Sequence, residues 1–370
     1  MSILTAPSDR TRRRLTWAAP VVVAGVVAGA VALSGTNASG ATPNLPARSP
    51  AQLLTAVQTS TATSFSGQVS ETAALGIPTL PGGHSRASLS WQTFLSGTHT
   101  ARVWADGADK QRVALIGELS EADVVHRGID LWTYTSDTNT VTHSTIPANG
   151  RADATPSAAD ATPAAVAARV LEAVSPTTAV TVDTAQRVAG RNAYTLVLAP
   201  RDTRSTVQKV TIAIDAKKFI PLRVQVFGSG STPAFSTGFT SISFSRPAAS
   251  TFAFTAPKGA TTSTDPLGLH STDQRHDARP SAGASPRPGT TEAKPIVLGS
   301  GWTSVLELPK GTAAALGGSK LHDLTSAVGT SGDRLLHTAL VNALILPDGR
   351  AFVGGVTPAL LERMAATHPR

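Results

Sequence analysis

The stretch ARVWADGADKQRVALIGELSEADVVHRGIDLWTYTSDTNTVTHSTI, Ala101 to Ile146, decides the fold. It breaks into short runs, ARVWA, QRVALIG, EADVVHRG, DLWTYTS and NTVTHSTI, in which apolar and polar residues alternate with the period of a strand. Between the runs lie only DGADK, HRGID and SDTNT, rich in the Gly, Asp and Asn that favour turns. Connections this short join antiparallel neighbours, because a parallel pair needs a crossover of about a dozen residues. The segment is therefore a meander of hairpins.

The same pattern extends on both sides, in SFSGQVSET from Ser64, TAVTVDT from Thr178, NAYTLVLA from Asn192, VQKVTIAID from Val207, LRVQVFG from Leu222, FTSISFS from Phe239 and TFAFTA from Thr251. Val210, Ile212 and Ile214 share one face, as do Leu222, Val224 and Val226; Trp132 and Tyr134 form a third such set, and Arg102 and Trp104 a fourth. So many strands in sequence build a large, strongly curved sheet, a sandwich or a barrel. Two short helices accompany them. Ser49-Pro50 opens one, with Leu53, Leu54 and Val57 as its stripe; Thr162-Pro163 opens the other, with Val166, Val170, Leu171 and Val174. Each is amphipathic and must lie on the sheet.

This organisation sets the boundaries. Residues 1–44 hold Arg10, Arg12, Arg13 and Arg14 before the uncharged stretch from Leu15 to Leu33, which reads as either a cleaved signal peptide or an N-terminal membrane anchor. In both cases the chain that follows lies outside the cytoplasm. Residues 45–256 form the strand-rich domain; 257–295, rich in Pro, Ser and Thr, form a disordered linker; 296–370 form a small α+β segment. In that last segment GWTSVLELP reads as a strand, and Pro347-Asp348-Gly349 turns a hairpin before a helix opened by Thr357-Pro358. At its size it docks on the first domain or on a partner.

Composition excludes much of the usual chemistry. The chain's 370 residues include no Cys, so thiol nucleophiles, disulfides and Cys-ligated metals are out. The net charge of +8 is spread along the chain and aromatic residues make up 5%, which argues against a nucleic-acid surface but leaves room for weak attraction to anionic lipid headgroups. H-E-x-x-H, Walker A, G-x-G-x-x-G and G-x-S-x-G are all absent, and the scattered His99, His126 and His143 read as exposed sheet histidines. No cofactor or metal is expected, nor is the protein expected to be an enzyme.

What remains is apolar surface. A curved sheet with helices across its concave side can enclose a hollow, and Trp91, Phe94, Leu95, Trp104, Val113, Leu115, Trp132, Tyr134, Leu222, Val224 and Val226 are the candidates to line it. The same residues with the same alternation would also fill an ordinary core.

The quoted stretch, with TPAAVAARVLEAV (162–174), RVAGRNAYTLVLAPR (187–201), VTIAIDAKKFIPLRVQVF (210–227) and FSRPAASTFAFTAPKGA (244–260), resembles the LolA-like superfamily. That superfamily includes lipoprotein carriers and RseB/MucB-type regulators, and the resemblance is to the extracytoplasmic homologues of high-GC Gram-positive bacteria. It covers roughly residues 45–260 and rests on hairpin patterns such as Gly128 with Asp130 to Tyr134. It implies a mainly β fold, an unclosed antiparallel half-barrel with a helical lid over a hollow that takes acyl chains. Val166, Val170 and Leu171 would belong to the lid, and an arginine on an early strand, Arg102 or Arg112, would hold it. The implied function is non-enzymatic binding of a lipid or lipoprotein by a carrier or sensor at the cell envelope. The alternative is a regulator whose C-terminal segment contacts a membrane partner such as an anti-sigma factor.

Overall fold

The computed structural model describes residues 42–76, 96–116, 121–145, 162–164, 166–167, 177–264, 295–311, 324–329 and 332–368. Trp91, Phe94, Leu95, Val170 and Leu171 lie outside them, as does the stretch from Leu15 to Leu33. No described helix is long and apolar enough to cross a membrane.

The chain enters through helix α1 (Pro50–Gln58). Its start is fixed by a capping box: Ser49 Oγ accepts from the Gln52 amide, and Gln52 Oε1 accepts from the Ser49 amide. Pro50 follows at the first helical position, where its missing N–H is no loss. Six strands then form the first meander: β1 (Ser64–Ala74), β2 (Ser96–Asp106), β3 (Lys110–Ile116), β4 (Glu121–Arg127), β5 (Asp130–Thr135) and β6 (Thr140–Thr145). A second meander comprises β7 (Thr178–Val188), β8 (Arg191–Pro200), β9 (Lys209–Asp215), β10 (Pro221–Phe227) and β11 (Phe235–Ser243). Between the two lies a helical turn in which Pro163, Ala164, Val166 and Ala167 are helical and the Val166 amide bonds to the Thr162 carbonyl at 3.2 Å.

The two meanders are joined by the antiparallel pair β1–β11, with Val69 opposite Phe239. This union, between residues far apart in sequence, makes one sheet in the order β12-β6-β5-β4-β3-β2-β1-β11-β10-β9-β8-β7, where β12 is Thr261–Thr264. β12 pairs parallel to β6, so four residues assigned from sequence to the linker are a strand, and the antiparallel rule has this exception. The long connection from Thr145 to Thr261 makes the parallel pairing feasible. The sheet does not close, since β12 and β7 are its two ends. It does curl: Cα atoms of β7 and β11 approach within 8 Å, although a flat sheet would hold them about 19 Å apart.

Register sorts the side chains into two faces. One row across the sheet is Val182, Leu196, Ile212, Val224, Thr237, Glu71 and His99. The next rows on this face are Phe239, Val69, Ala101, Leu115 and Ala122, then Ile242, Gly67, Val103, Val113 and Val124. This is the inner face, because α1 and the 162–167 turn lie on it. Leu53, Val166 and Ala167 share one buried cluster with Tyr194, Leu196, Leu198, Ile212, Ile214, Val224 and Phe235. The outer face carries the rows Ser66, Trp104, Arg112, Val125, Trp132, His143 and Arg102, Ala114, Asp123, Tyr134, Val141. A strap leading to β12 crosses it, with Phe252 of the short 3-10 helix Ala249–Phe252 buried against β3 and β4.

A second sheet has six strands in the order β13-β14-β18-β17-β16-β15: β13 (Ile296–Leu298), β14 (Val305–Leu308), β15 (Ser326–Val328), β16 (Asp333–His337), β17 (Asn342–Ile345) and β18 (Ala351–Gly354). Helix α2 (Pro358–Thr367) covers it through Leu360 and Leu361, which pack with Val305, Leu344 and Phe352. The sheet docks on the first. Trp302 Nε1 donates to Thr178 Oγ1 at 2.7 Å, the Ala339 amide to the Leu75 carbonyl at 2.9 Å, and Leu340 enters the cluster that holds α1. Gly228 is required there, because a Cβ would lie 2.5 Å from the Ala339 carbonyl oxygen.

Candidate functional site

A cavity of about 250 Å³ opens on the inner face where β1, β2 and β3 meet the 162–164 turn. Phe65, Val103 and Val113 supply its apolar floor, and Thr162 and Ala164 border it from above. The strands place these residues by alternation: Gly67, Val103 and Val113 are opposite one another in a single row. Gly67 belongs there because a Cβ would lie 2.4 Å from the Ser241 carbonyl oxygen and 2.9 Å from the Phe239 ring. Phe239 in turn meets Phe65 edge-on, with ring centroids 5.9 Å apart. The volume falls just below the 300 Å³ or so at which small-molecule pockets begin, enough for part of a hydrocarbon chain.

The sequence-selected residues divide sharply. Val113 and Trp104 border the cavity. Leu115, Leu222 and Val224 are almost wholly buried and Val226 partly so, packed into the core clusters. Trp132 and Tyr134 belong to outer-face rows, not to the face of Val113 and Leu115. Trp132 stacks on His143 at 5.0 Å and on Phe254 of the strap at 6.2 Å, so its ring is engaged away from the hollow. Trp104, also of an outer row, lies under the Arg112 guanidinium at 5.8 Å.

Both arginine candidates stand in outer-face rows, and Arg112, like Trp104, also borders the cavity. Arg102 is exposed. Arg112 forms a two-pronged ion pair with the buried Asp123, at 3.0 and 2.6 Å, and donates to the Thr251 carbonyl at 3.1 Å. It therefore fastens the strap to the sheet. Burial raises the Asp123 carboxyl above its ordinary range despite this partner. Val166 does pack on the inner face, buried with α1. His99, expected on an exposed surface, is 8% exposed in the inner row beside Glu71.

Glu71 is the residue that sequence reading passed over. It sits on the same face of β1 as Phe65, Val69 and Ala73, with His99 opposite on β2 and Thr237 opposite on β11. Burial lifts its carboxyl to about 8. The signal was available in SFSGQVSETAA, where an acid falls in phase with the apolar positions. Among the described residues no group of three or more His, Asp or Glu is placed to hold a metal ion.

No family model and no curated protein matches the chain. Solved structures do. A complex of Pseudomonas aeruginosa MucA and MucB is 16% identical with a TM-score of 0.41, over 84% of this chain and 93% of that one. A LolA-superfamily protein from Nitrosomonas europaea is 12% identical with a TM-score of 0.23, over 56% of this chain and 99% of that one. A lipoprotein-sorting domain from Vibrio parahaemolyticus is 10% identical with a TM-score of 0.21, over 52% and 90%. These likenesses concern fold.

Proposed function

We propose that the inner face of the larger sheet binds the acyl chain of a lipid or lipoprotein, without catalysis, outside the cytoplasm. The observation that carries this reading is the cavity floored by Phe65, Val103 and Val113 beneath the 162–164 turn. Hydrocarbon moved from water into such a site gains about 0.8 kcal/mol per CH2, so even a few methylenes hold the ligand. The Arg cluster at residues 10–14, followed by the uncharged stretch from Leu15 to Leu33, supports an extracytoplasmic place, with the chain secreted or tethered at the membrane surface. Val113 and Trp104 border the proposed site, with Leu115 and Leu222 in the core cluster of Val103 and Val113; Val166, Val224 and Val226 pack in the filled half with α1.

The test is mass spectrometry of an organic extract of the purified full chain, paired with uptake of a fluorescent fatty acid. Copurifying lipid and saturable uptake are expected, and Ala164→Phe, which puts a ring at the cavity's border, should abolish uptake while leaving the far-UV circular dichroism unchanged. Extracts free of lipid together with absent uptake would end the reading.

A second reading, a regulator that contacts a membrane protein such as an anti-sigma factor, is favoured by one feature of the smaller sheet. Its edge strand β13 exposes Ile296 and Val297, at 55% and 38%, beside backbone groups with no strand partner on that side among the described residues. Ile296→Asp with Val297→Asp should then lose a membrane partner in crosslinking from intact cells while fatty-acid uptake persists. Unchanged crosslinking would remove this reading and leave the first.

A further inference from the structure

The turns from β7 to β8 and from β9 to β10, the link from α1 into β1 and the exit from β11 all lie at one end of the larger sheet. Register requires it, since Val188 pairs with Arg191, Pro221 with Ile214 and Ser66 with Ser243. Along the β7–β11 half of that end stand Arg48, Arg187, Arg191, Lys217 and Lys218, gathered there from distant parts of the sequence. The one carboxylate among them, Asp215, is buried and already held by Arg191. Arg48, Arg187, Lys217 and Lys218 are exposed and pair with no carboxylate among the described residues. Two half-buried rings lie between these cations. Arg48 stands over Phe219, 4.9 Å from its centroid, and Phe244 lies 4.6 Å from Arg191 and 5.9 Å from Lys218. The neighbouring half of the same end is balanced, with Lys110, Arg127 and Arg246 beside Asp106, Asp109 and Asp130. At the opposite end Arg204 is paired with Asp202, and the smaller sheet docks through Trp302 and Ala339. The positive excess is therefore a local rim of basic side chains and aromatic rings.

We propose that this rim seats the domain on the anionic headgroups of a lipid bilayer. The first argument is where the chain arrives. Tyr194 donates its hydroxyl to the Pro46 carbonyl at 3.0 Å, and the Arg48 guanidinium follows at the rim. Only residues 34–41 lie between Leu33 and Thr42, about 30 Å of fully extended chain. A protein held at a membrane by the stretch from Leu15 to Leu33 thus brings this end to the surface first. The second argument is chemistry. Cations on long apolar stems around half-buried rings suit a headgroup layer, with stems and rings at its inner boundary and charges among the phosphates. Each such cation near an anionic surface is worth roughly a fivefold change in partition. The cavity opens at the same end, bordered by Thr63, Gly107 and Gln111. The seat does not depend on the acyl-chain reading; where both hold, the cavity lies beside the lipid that supplies its ligand.

The chain has no Cys, so a single introduced thiol reports on its own position. Ser245→Cys, next to Phe244, and Ser231→Cys, in the β10–β11 connection at the opposite end, both replace exposed residues. Each is labelled with a polarity-sensitive fluorophore in the full chain, on vesicles of phosphatidylcholine alone or mixed with phosphatidylglycerol. On the mixed vesicles the label at 245 should brighten and shift to the blue, and the label at 231 should not. About 0.5 M salt, which roughly halves the physiological Debye length, should reverse the shift. Lys217→Gln with Lys218→Gln should lower the ratio of seated to free domains about thirtyfold for the two charges removed. Arg201→Gln with Lys209→Gln, the same loss of charge at the opposite end, should leave that ratio unchanged. A shift equal on pure phosphatidylcholine, indifferent to salt or shared by both labels would overturn the proposal, as would equal effects of the two charge pairs. No shift on either vesicle would overturn it too. Fatty-acid uptake without vesicles decides the acyl-chain reading separately: its absence with the shift at 245 intact would remove that reading and leave the seat standing.

Discussion

Along β7 to β11 the inner face meets α1, and Leu53, 0% exposed, fills the space above Leu196, Ile212 and Val224. Along β1 to β3 the same alternation of apolar residues meets the 162–164 turn across a cavity. The floors are alike: Val103 and Val113 pair across β2 and β3 as Leu196 and Ile212 pair across β8 and β9. The difference lies in the element overhead, a capped helix of nine residues on one side and small Thr162 and Ala164 on the other. Alternation thus defines which face is apolar, while the side chains of the covering element decide whether that face is core or hollow. The turn spans both regimes, since Val166 and Ala167 are buried with α1 a few residues after Ala164 borders the cavity.

Truncating each floor gives the largest expected contrast. Leu196→Ala removes a side chain with 0% exposure from the filled half and should cost about 2–5 kcal/mol in urea denaturation. Val113→Ala removes two methyl groups beside an existing void and should cost about 1.5 kcal/mol, the transfer value alone. The second variant should also take up fatty acid at least as well as wild type. Equal costs would mean that the cavity is closed in solution.

Next in size is the ion pair behind the open half. Arg112→Ala leaves Asp123, 4% exposed, without its guanidinium, and frees the strap at Thr251. The expected loss is about 2–3 kcal/mol, at the low end for buried pairs because the Arg112 side chain keeps contact with water. The pair at the filled half behaves differently with pH. Asp215, 1% exposed, accepts from Arg191 and from the amides of Lys217 and Lys218, and these hold its carboxyl below the ordinary value despite burial. A depressed carboxyl stabilises the fold fully above its unfolded value, near 4, and loses that contribution as pH falls through the folded one. Asp123 is raised, so its ionisation works against the fold as pH climbs out of the carboxylate range. Asp215→Asn should therefore flatten the acid limb of the stability curve, and Asp123→Asn should not.

Gly228→Ala probes the junction with the smaller sheet, since a Cβ there forces the Ala339 carbonyl away. Overpacking of this kind costs about 1–3 kcal/mol. Hydrogen exchange should quicken at the Ala339 amide, which bonds to Leu75, while the cavity-lining strands β2 and β3 keep their protection. Parallel loss in both places would show that the smaller sheet supports the hollow as well as the filled half.

Much of the scaffold was legible because its signals are local. Ser49-Pro50, the short turns and the alternation in β9 each need only a few neighbouring residues to be read. The outward placing of Trp132 was not, because both phases of β4 and β5 are apolar: Val124 and Val125 are adjacent, as are Leu131 and Trp132, so period alone selects no face. Long-range pairings leave no local mark either. Nothing in Val69 announces Phe239 as its partner, and nothing in Thr261–Thr264 announces β6. The hollow was legible only as an apolar face, since its emptiness depends on how short the side chains at Thr162 and Ala164 are.

The smallest expected effect tests the cause of the contrast. If α1 is what converts the face into core, weakening α1 should push the filled half toward the open one. Ser49→Ala deletes the acceptor for the Gln52 amide at 3.2 Å and, with it, one arm of the capping box. The cost is about 1 kcal/mol, paid almost entirely by the first turn of the helix. Leu53 sits in that turn, its amide bonded to the Ser49 carbonyl, so fraying there withdraws the side chain that covers Leu196 and Ile212. Exchange of the α1 amides should quicken several-fold while β8 and β9 amides remain protected, and the number of bound fatty-acid probes per chain should rise. Faster exchange with no added binding would mean that the strand side chains of β7 to β11 close over one another without the helix, and that the sheet itself, not its cover, separates core from hollow.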